Sequence, residues 1–291
     1  TLQQAQRYTT GVIYGDIDVE KLSGERRRMT TYKTHTGCRK YSFSVGAKEF
    51  KLSRSFPKTP FVPSSKADIS QRCQDILAIQ SVGLATRLKH TGIKNAVIGL
   101  SGGLDSTLAL IVTVHAFDRL KLDRKGITAV TMPCFGTTKR TKSNAEKLAE
   151  AYGVSFKEVN ITEAVKRHFA DIDHNSSVTD VTYENSQARE RTQVLMDIAN
   201  QKNGLVIGTG DLSELALGWA TYNGDHMSMY AVNASVPKTL VRYLTAYEAE
   251  SSDGELKKVL QDVLDTPVSP ELLPPTNGEI SQKTEDLVGP Y

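Results

Sequence analysis

Cysteine is scarce in this sequence, and its few positions show no metal-binding pattern. Cys38, Cys73 and Cys134 are the only cysteines among 291 residues. They stand too far apart for the paired spacing of a zinc site. Free thiols in a reducing cytoplasm are the default expectation for such a chain. We therefore expect a cytoplasmic protein whose fold depends on its core.

Long apolar runs and strong charge are also lacking. No apolar run is long enough to cross a bilayer. The formal net charge is only +3, and the longest basic run is Arg26–Arg28, which is typical of a solvated helix. We expect neither a membrane nor a nucleic-acid partner. Hydrophobic residues make up 39% of the chain, enough for one large domain or one domain plus a smaller piece.

Residues 1–60 differ from the rest in having few apolar side chains. The alternation in Gly11–Asp18 predicts a strand, and Val19–Met29 predicts a short charged helix. Pro57, Pro60 and Pro63 then mark a boundary. So few apolar residues cannot build an independent core. The chain begins without a methionine, and we expect it to be a piece of a longer protein.

Residues 61–291 alternate buried strands with amphipathic helices. This order predicts an α/β fold with a parallel sheet, right-handed crossovers and a ligand site at the carboxyl ends of the strands. Asp68 is the expected cap of the first helix, and Gly92 its end. The predicted strands are 96–100, 126–133, 154–159 and 205–208, and the predicted helices are 68–88, 104–120, 141–152, 161–169 and 184–200.

The stretch Val97–Thr107 is the most informative in the chain. An apolar strand enters a turn of Ser101, Gly102 and Gly103, and a helix begins directly after it. Glycines let the backbone approach a phosphate, and the first N–H groups of the helix point at the anion. Asp105 lies in the first turn, where it can hold a metal that bridges phosphate oxygens. An ordinary strand-to-helix turn is the alternative for a generic Gly-Gly pair.

A second stretch, Gly208–Glu214, also follows an apolar strand and opens a helix. Glu214 and Asp105 can share one Mg²⁺, because both are hard oxygen ligands. The alternative is that Asp211 and Ser213 merely cap the helix while Glu214 pairs with a surface cation. Beside the first loop, the metal site is favoured.

Three further stretches carry polar or aromatic groups that fit a nucleotide. Leu217–His226 contains the only Trp beside a Tyr, which can sandwich a flat ring, although an isolated Trp is more often core. A long helix opens with Asn185, Arg189 and Arg191, which can hold ribose or phosphate, although an ordinary charged helix start would look similar. Lys238 follows a proline at a helix start and can neutralise leaving pyrophosphate. We assign His226 no catalytic role.

The first loop is not a Walker loop, because no Gly-Lys-Ser/Thr follows its glycines. It resembles the pyrophosphate loop of the N-type ATP pyrophosphatases, which cleave ATP between the α and β phosphates. The full set of motifs resembles the synthetase domain of the glutamine-dependent NAD synthetase family: Ser-Gly-Gly-Leu-Asp-Ser, Glu-Asn-Ser-Gln-Ala-Arg, Gly-Thr-Gly-Asp-Leu-Ser-Glu, Gly-Trp-Ala-Thr-Tyr-Asn-Gly-Asp, Val-Pro-Lys-Thr and the tail segments Ser269–Pro274 and Gln282–Asp286.

This resemblance implies a Rossmann-like fold of the adenine nucleotide alpha hydrolase type in residues 61–291. Residues Val12–Arg28 resemble the end of the family's nitrilase-like amidase domain, so residues 1–60 are expected to be its remnant and a linker. The amidase nucleophile is absent, and we expect the chain to use free ammonia rather than glutamine.

The resemblance also implies roles for individual residues. Catalytic roles fall on Asp105, Glu214 and Lys238, and the Mg²⁺ ligands are Asp105 and Glu214. The expected ATP-binding residues are Gly99, Leu100, Ser101, Gly102, Gly103, Leu104, Asp105, Ser106 and Thr209. The expected contacts to deamido-NAD are Asn185, Glu214, Trp219, Ala220, Thr221 and Tyr222.

The implied reaction is ATP-dependent amidation of deamido-NAD through an adenylated intermediate, with release of AMP and pyrophosphate. The family usually assembles through its synthetase domains, so a homo-oligomer, at least a dimer, is expected. Two alternatives remain at this point. One is another adenylating enzyme, such as a tRNA-modifying pyrophosphatase, and the other is a non-catalytic nucleotide-binding module.

Overall fold

The structure is a computed structural model, and it describes residues 5, 10–31, 33, 37–44, 46, 59–63, 65–136 and 139–266. Contacts divide the chain into two compact units, Thr1–Lys58 and Thr59–Tyr291. The predicted tail motifs in 269–274 and 282–286 lie outside the described residues. The assignment of residues 1–60 to an amidase remnant and of 61–291 to a synthetase domain stays a prediction.

The first unit contains one described helix, α1 (Val19–Arg28), capped by the Asp18 carboxylate, which accepts from the Lys21 N–H at 2.9 Å. No residue of α1 is buried. The predicted strand over Gly11–Asp18 is wrong, because these described residues are exposed and form no strand. Alternation alone cannot make a strand, since a strand needs a partner for its backbone groups.

The second unit is built on a five-stranded parallel sheet with the order β3-β2-β1-β4-β5. Its strands are β1 (Asn95–Gly99), β2 (Ile127–Thr131), β3 (Ser155–Glu158), β4 (Gly204–Gly208) and β5 (Tyr230–Ala231). Its described helices are α2 (Lys66–Thr91), α3 (Leu104–Leu120), α4 (Lys139–Tyr152), α5 (Thr162–Asp171), α6 (Val181–Lys202), α7 (Leu212–Leu217), α8 (Lys238–Ser251) and α9 (Gly254–Leu264).

Helices cover both faces of this sheet, and alternate strand residues point to opposite layers. Ala96 and Ile98 of β1 pack into a core formed with α2, α3, α4, α8 and α9. Val97, between them, packs with residues of α5 and α6 on the other face. Burial on both faces explains why these strands read as continuous apolar runs. The predicted α/β fold with a parallel sheet flanked by helices is therefore confirmed.

The strand order places a crevice between β1 and β4. From β1 the chain adds β2 and then β3 on one side, and it returns to place β4 on the other side of β1. Open parallel sheets bind ligands where the strand order reverses, at the carboxyl ends of the strands. The loops that follow β1 and β4 are the two that the sequence singles out.

Most element boundaries agree with the sequence within a few residues, and the differences have local causes. The cap of α2 is Ser65, not Asp68, because the Ser65 hydroxyl accepts from the Asp68 N–H at 3.1 Å. Gly92 ends α2 in the left-handed region, as predicted, with φ of 71°. Helix α6 begins at Val181 instead of 184, because Asp180 caps it through two N–H groups.

Candidate active site

The loop after β1 leaves the first turn of α3 open to an anion. Gly102 adopts a φ of 86°, in the left-handed region that favours glycine. The Ser101 hydroxyl accepts from the Gly103 N–H at 3.2 Å and lies 3.1 Å from the Ser106 hydroxyl. Gly103 is the N-cap of α3 and offers no side-chain cap. A helix N-terminus whose N-cap offers no side chain is a suitable place for an anion.

Two of the predicted ATP-binding residues are part of the core. The side chains of Leu100 and Leu104 are buried. The Leu100 N–H donates to the Val130 carbonyl at 2.9 Å, which fixes the end of β1 against β2. Gly99, the last residue of β1, is closely approached by the Leu195 side chain of α6. Leu100 and Leu104 can meet a nucleotide only through their main chains, and their side chains hold the loop in place.

The loop after β4 forms a capping box on α7. The Glu214 N–H donates to Asp211 Oδ1 at 2.9 Å, and the Asp211 N–H donates to Glu214 Oε2 at 3.2 Å. The capping alternative from the sequence is therefore correct for Asp211. It is wrong for the partner of Glu214, because the other carboxylate oxygen, Oε1, lies 3.8 Å from the buried Lys238 ammonium and not beside a surface cation.

Three carboxylates meet between the two loops, and we call them the acidic cluster: Asp105, Asp211 and Glu214. One oxygen from each lies within 4.8 Å of the others. The Lys238 ammonium contacts all three: it forms a short ion pair with Asp105 and lies 3.3 Å from Asp211 Oδ2. Asp211 is fully buried, and the Lys238 side chain is only 9% exposed. From the sequence we predicted Asp105 and Glu214 as members of a metal site, but we did not predict Asp211 as a third carboxylate.

The acidic cluster carries more negative charge than Lys238 balances. Three carboxylates and one ammonium leave a formal charge of −2 in a largely buried place. Burial, with repulsion from Asp105 and Asp211, raises the pKa of Glu214 to about 7 in spite of Lys238. Burial alone would lower the pKa of Lys238, but the three carboxylates hold it above its usual value. A divalent cation with oxygen ligands fits this charge and this donor set.

The predicted substrate segment lies in the loop Gly218–Met229, which we call the Trp219 loop. Trp219 is 49% exposed and Tyr222 is 72% exposed, so the alternative of a core Trp is wrong. The Trp219 N–H donates to the Glu214 carbonyl at 3.0 Å, which joins this loop to the acidic cluster. Ala220 is exposed and Thr221 is half-buried. The exposed rings are thus available to a flat ligand.

Helix α6 holds the Trp219 loop through main-chain carbonyls. The Nε and Nη2 groups of Arg189 both donate to the Tyr222 carbonyl at 3.2 Å. The Thr192 hydroxyl donates to the Gly224 carbonyl at 2.7 Å. Gly224 is so close to α6 that an added Cβ would lie 2.8 Å from the Ala188 side chain. Arg189, predicted to hold ribose or phosphate, instead contacts this loop, and Asn185 lies half-buried one turn earlier on α6.

Replacing Arg189 by Gln is expected to loosen the Trp219 loop. The change removes both guanidinium donors to the Tyr222 carbonyl, and the loop loses a charge-assisted anchor. Trp219 is the only tryptophan of the chain, so acrylamide quenching of tryptophan fluorescence reports on this loop alone. We expect acrylamide to quench Trp219 more strongly in Arg189→Gln than in the unmodified chain.

A matched control removes the same charge nearby on the same helix. Arg191→Gln, two residues along α6, is expected to leave the quenching of Trp219 unchanged. Equal quenching in Arg189→Gln and the unmodified chain would show that Arg189 does not hold the loop.

Comparisons with known proteins were made for the whole chain. The NAD synthase family matches residues 77–278. A glutamine-dependent NAD(+) synthetase of Mycobacterium tuberculosis is 44% identical over 309 aligned positions, which cover 100% of this chain and 45% of the relative. The chain thus spans about 45% of the length of this relative.

Two solved structures resemble the fold described above. The structure of glutamine-dependent NAD+ synthetase from Acinetobacter baumannii in complex with ADP is 30% identical, with a TM-score of 0.62, over 68% of this chain and 37% of that one. The structure of NMN synthetase from Francisella tularensis is 25% identical, with a TM-score of 0.59, over 75% of this chain and 81% of that one.

Proposed function

Because this chain belongs to the NAD synthase family, we propose that it amidates deamido-NAD to NAD at the expense of ATP. The observation that carries the proposal is the acidic cluster, which joins the loops after β1 and β4 at the reversal point of the sheet. Asp105 lies in the first turn of α3, whose N-cap makes no side-chain cap hydrogen bond, and the loop that follows α7 carries the exposed rings of Trp219 and Tyr222. These features fit a triphosphate, a cation and a nicotinate ring.

The chemistry requires activation of a carboxylate, because ammonia does not displace carboxylate oxygen directly. A nicotinate oxygen attacks the α-phosphorus of ATP, and the bond from that phosphorus to the bridging oxygen breaks as pyrophosphate leaves. Ammonia then adds to the acyl carbon, and the C–O bond to AMP breaks. The proton lost from the nitrogen goes to solvent. No protein nucleophile is needed, so positioning and electrostatics supply the rate.

Phosphate binding, cation binding and orientation of the nicotinate ring are assigned to different residues of the site. Main-chain N–H groups at the α3 N-terminus hold phosphate oxygens, and Thr209 joins them from the loop after β4. Asp105 and Glu214 would hold Mg²⁺, with buried Asp211 beside them. A cation held there would supply positive charge to phosphate oxygens. Lys238 adds an ammonium from the same side, and the Trp219 loop with Asn185 orients the nicotinate ring.

We propose ammonia as the direct nitrogen donor and the cytoplasm as the location, since ATP is abundant there. None of the described helices has the length and hydropathy of a membrane span.

We also propose self-association, supported by the exposed Leu215 and Leu217 side chains of α7. Light scattering that gave the mass of one chain would contradict it. The tRNA-modifying alternative gains no support from the comparisons.

An oxygen-labelling experiment tests the proposed reaction. Deamido-NAD labelled with ¹⁸O in both nicotinate carboxylate oxygens is mixed with the protein, ATP, Mg²⁺ and ammonium chloride, and the products are analysed by mass spectrometry. Adenylation predicts NAD and AMP in equal amounts, with one ¹⁸O in AMP, one in the amide of NAD and none in pyrophosphate. Labelled phosphate with ADP would mean phosphorylation instead, and would contradict the proposal.

Two further arms fix the substrate and the nitrogen donor. Since one structural neighbour is an NMN synthetase, the nicotinate mononucleotide is offered in place of deamido-NAD. Glutamine is offered in place of ammonium. We expect faster turnover with the dinucleotide and with ammonium. Binding of ATP with no release of pyrophosphate in any arm would support the non-catalytic alternative.

A further inference from the structure

Asn233 is a buried polar residue near the acidic cluster that has no assigned role. It lies in the turn between β5 and α8, and its side chain is inaccessible to solvent. A buried amide must satisfy both its donors and its acceptor to avoid a large cost. The partners that it finds are therefore informative about what the residue does.

The Asn233 side chain joins the two loops that carry the acidic cluster. Its Nδ2 group donates to the Asp105 carbonyl at 3.0 Å and to the Thr209 carbonyl at 3.1 Å. Asp105 lies in the first turn of α3, and Thr209 lies in the loop after β4. One primary amide has two N–H donors, so one side chain ties both backbones at once.

Gln80 of α2 fixes the orientation of this amide. Its Nε2 group donates to Asn233 Oδ1 at 3.2 Å and to the Val232 carbonyl at 2.8 Å. A flipped Asn233 amide would place its NH₂ against the Gln80 donor and its oxygen against two carbonyls. Gln80 therefore selects the one orientation in which both Asn233 donors reach the loops.

The same turn also places Lys238 and the start of α7. The Leu212 N–H donates to the Val236 carbonyl at 3.0 Å, and the Lys238 N–H donates to the Ser213 hydroxyl at 3.0 Å. Asn233 thus lies at one end of a short segment whose other end delivers the ammonium that contacts all three carboxylates. Displacing this segment would move the ammonium and the carboxylates together.

We infer that Asn233 is a positioning residue that sets the spacing between Asp105 and the Asp211–Glu214 pair, with Gln80 holding its amide. Asn233 itself is assigned no contact with substrate. Carboxylates that bind a cation must keep their separation within a few tenths of an ångström, and outer partners that fix ligands typically affect metal affinity by about ten- to a hundredfold. The metal part of this inference rests on the proposed function, whereas the joining of the two loops does not.

Hydrogen exchange measured by mass spectrometry tests the joining of the loops directly. Three near-isosteric variants are compared with the unmodified chain: Asn233→Leu, Gln80→Met and, as a control, Thr113→Val, which removes a buried hydroxyl bond within α3. We expect Asn233→Leu to speed exchange in 101–106 and 209–214 together, and Gln80→Met to do so less. Thr113→Val is expected to leave both segments unchanged.

Mn²⁺ affinity, measured by electron paramagnetic resonance with α,β-methylene-ATP present, is the second readout. We expect Asn233→Leu to weaken Mn²⁺ binding about tenfold or more, and Thr113→Val to change it less than about twofold. Unchanged exchange in both loops, or exchange raised evenly over the domain, would overturn the inference. If Asn233→Leu does not fold, Gln80→Met decides, and unchanged exchange in that variant would overturn it.

The two readouts separate this inference from the proposed function. If the unmodified chain bound no Mn²⁺ with the nucleotide, the proposed function would fail. The hydrogen-exchange result would still decide whether Asn233 joins the loops.

Discussion

Asp105→Asn is expected to lower kcat for NAD formation by about a hundred- to a thousandfold. Asp105 is the one carboxylate of the acidic cluster that follows β1, in the first turn of α3, and it forms the short ion pair with Lys238. The amide keeps the size of the side chain but loses the charge that a cation needs. The measurement is the rate of AMP release at saturating ATP and Mg²⁺.

The fold of this variant should be preserved, which separates chemistry from folding. The acidic cluster has an excess of negative charge, so the loss of one carboxylate leaves the remaining two with a better-balanced Lys238. We expect a thermal midpoint equal to or above that of the unmodified chain. The matched control is Asp118→Asn, which removes an exposed carboxylate near the other end of α3 and should leave kcat unchanged. Full activity of Asp105→Asn would exclude the metal assignment.

Lys238→Met is expected to destabilise the metal-free chain by about 3 kcal/mol, because it leaves buried carboxylates without their counter-charge. In a domain of this size that corresponds to a fall of roughly 6–12 °C in the thermal midpoint. Added Mg²⁺ should restore much more stability to the variant than to the unmodified chain, since a divalent cation replaces the missing charge. Differential scanning calorimetry with and without Mg²⁺ measures both effects.

The control for this prediction is an exposed lysine in an ordinary ion pair. Lys142 pairs with Glu158 at 2.8 Å, and both side chains are about 40% exposed. Lys142→Met should cost no more than about 1 kcal/mol, and Mg²⁺ should not change that cost. A Lys238→Met variant as stable as Lys142→Met would show that the ammonium does not balance the acidic cluster. Turnover should fall as well, because Lys238 is proposed to stabilise departing pyrophosphate.

Local patterns in the sequence were enough to predict the centre of the fold. The central strands are apolar on both faces, and glycines or helix caps mark their ends. The apolar runs and their flanking residues were therefore enough to place β1 and β4. The sequence did not predict β5, because two residues at the edge of a sheet carry no periodicity. It also did not predict α9, and it gave only the start of α8, through the proline before Lys238.

The members of the acidic cluster could be predicted where their position after an apolar strand was the main signal. Asp105 and Glu214 follow apolar strands, and their position predicts a place at the carboxyl edge of the sheet. Asp211 was missed because its sequence position already indicated a helix cap. One of its carboxylate oxygens caps α7, and the other lies beside the Lys238 ammonium in the acidic cluster. Its position directly after a strand was the available signal.

Long-range contacts were the part that no local pattern could give. Asn233 meets Asp105 across 128 positions of the chain, and it lies in the turn after β5, a strand that the sequence did not predict. Arg189 was predicted to contact a ligand, but it donates to a carbonyl 33 positions away. A polar side chain on a helix looks the same in the sequence whether it meets a ligand or a neighbouring loop.

A crystal structure with Mg²⁺, α,β-methylene-ATP and deamido-NAD is the most direct test of the central claim. We expect the triphosphate on main-chain N–H groups at the N-terminus of α3. We also expect a cation about 2.1 Å from oxygens of Asp105 and Glu214, and the nicotinate ring beside Trp219. A triphosphate bound away from Ser101 and Glu214, with no cation at the acidic cluster, would contradict the proposed site.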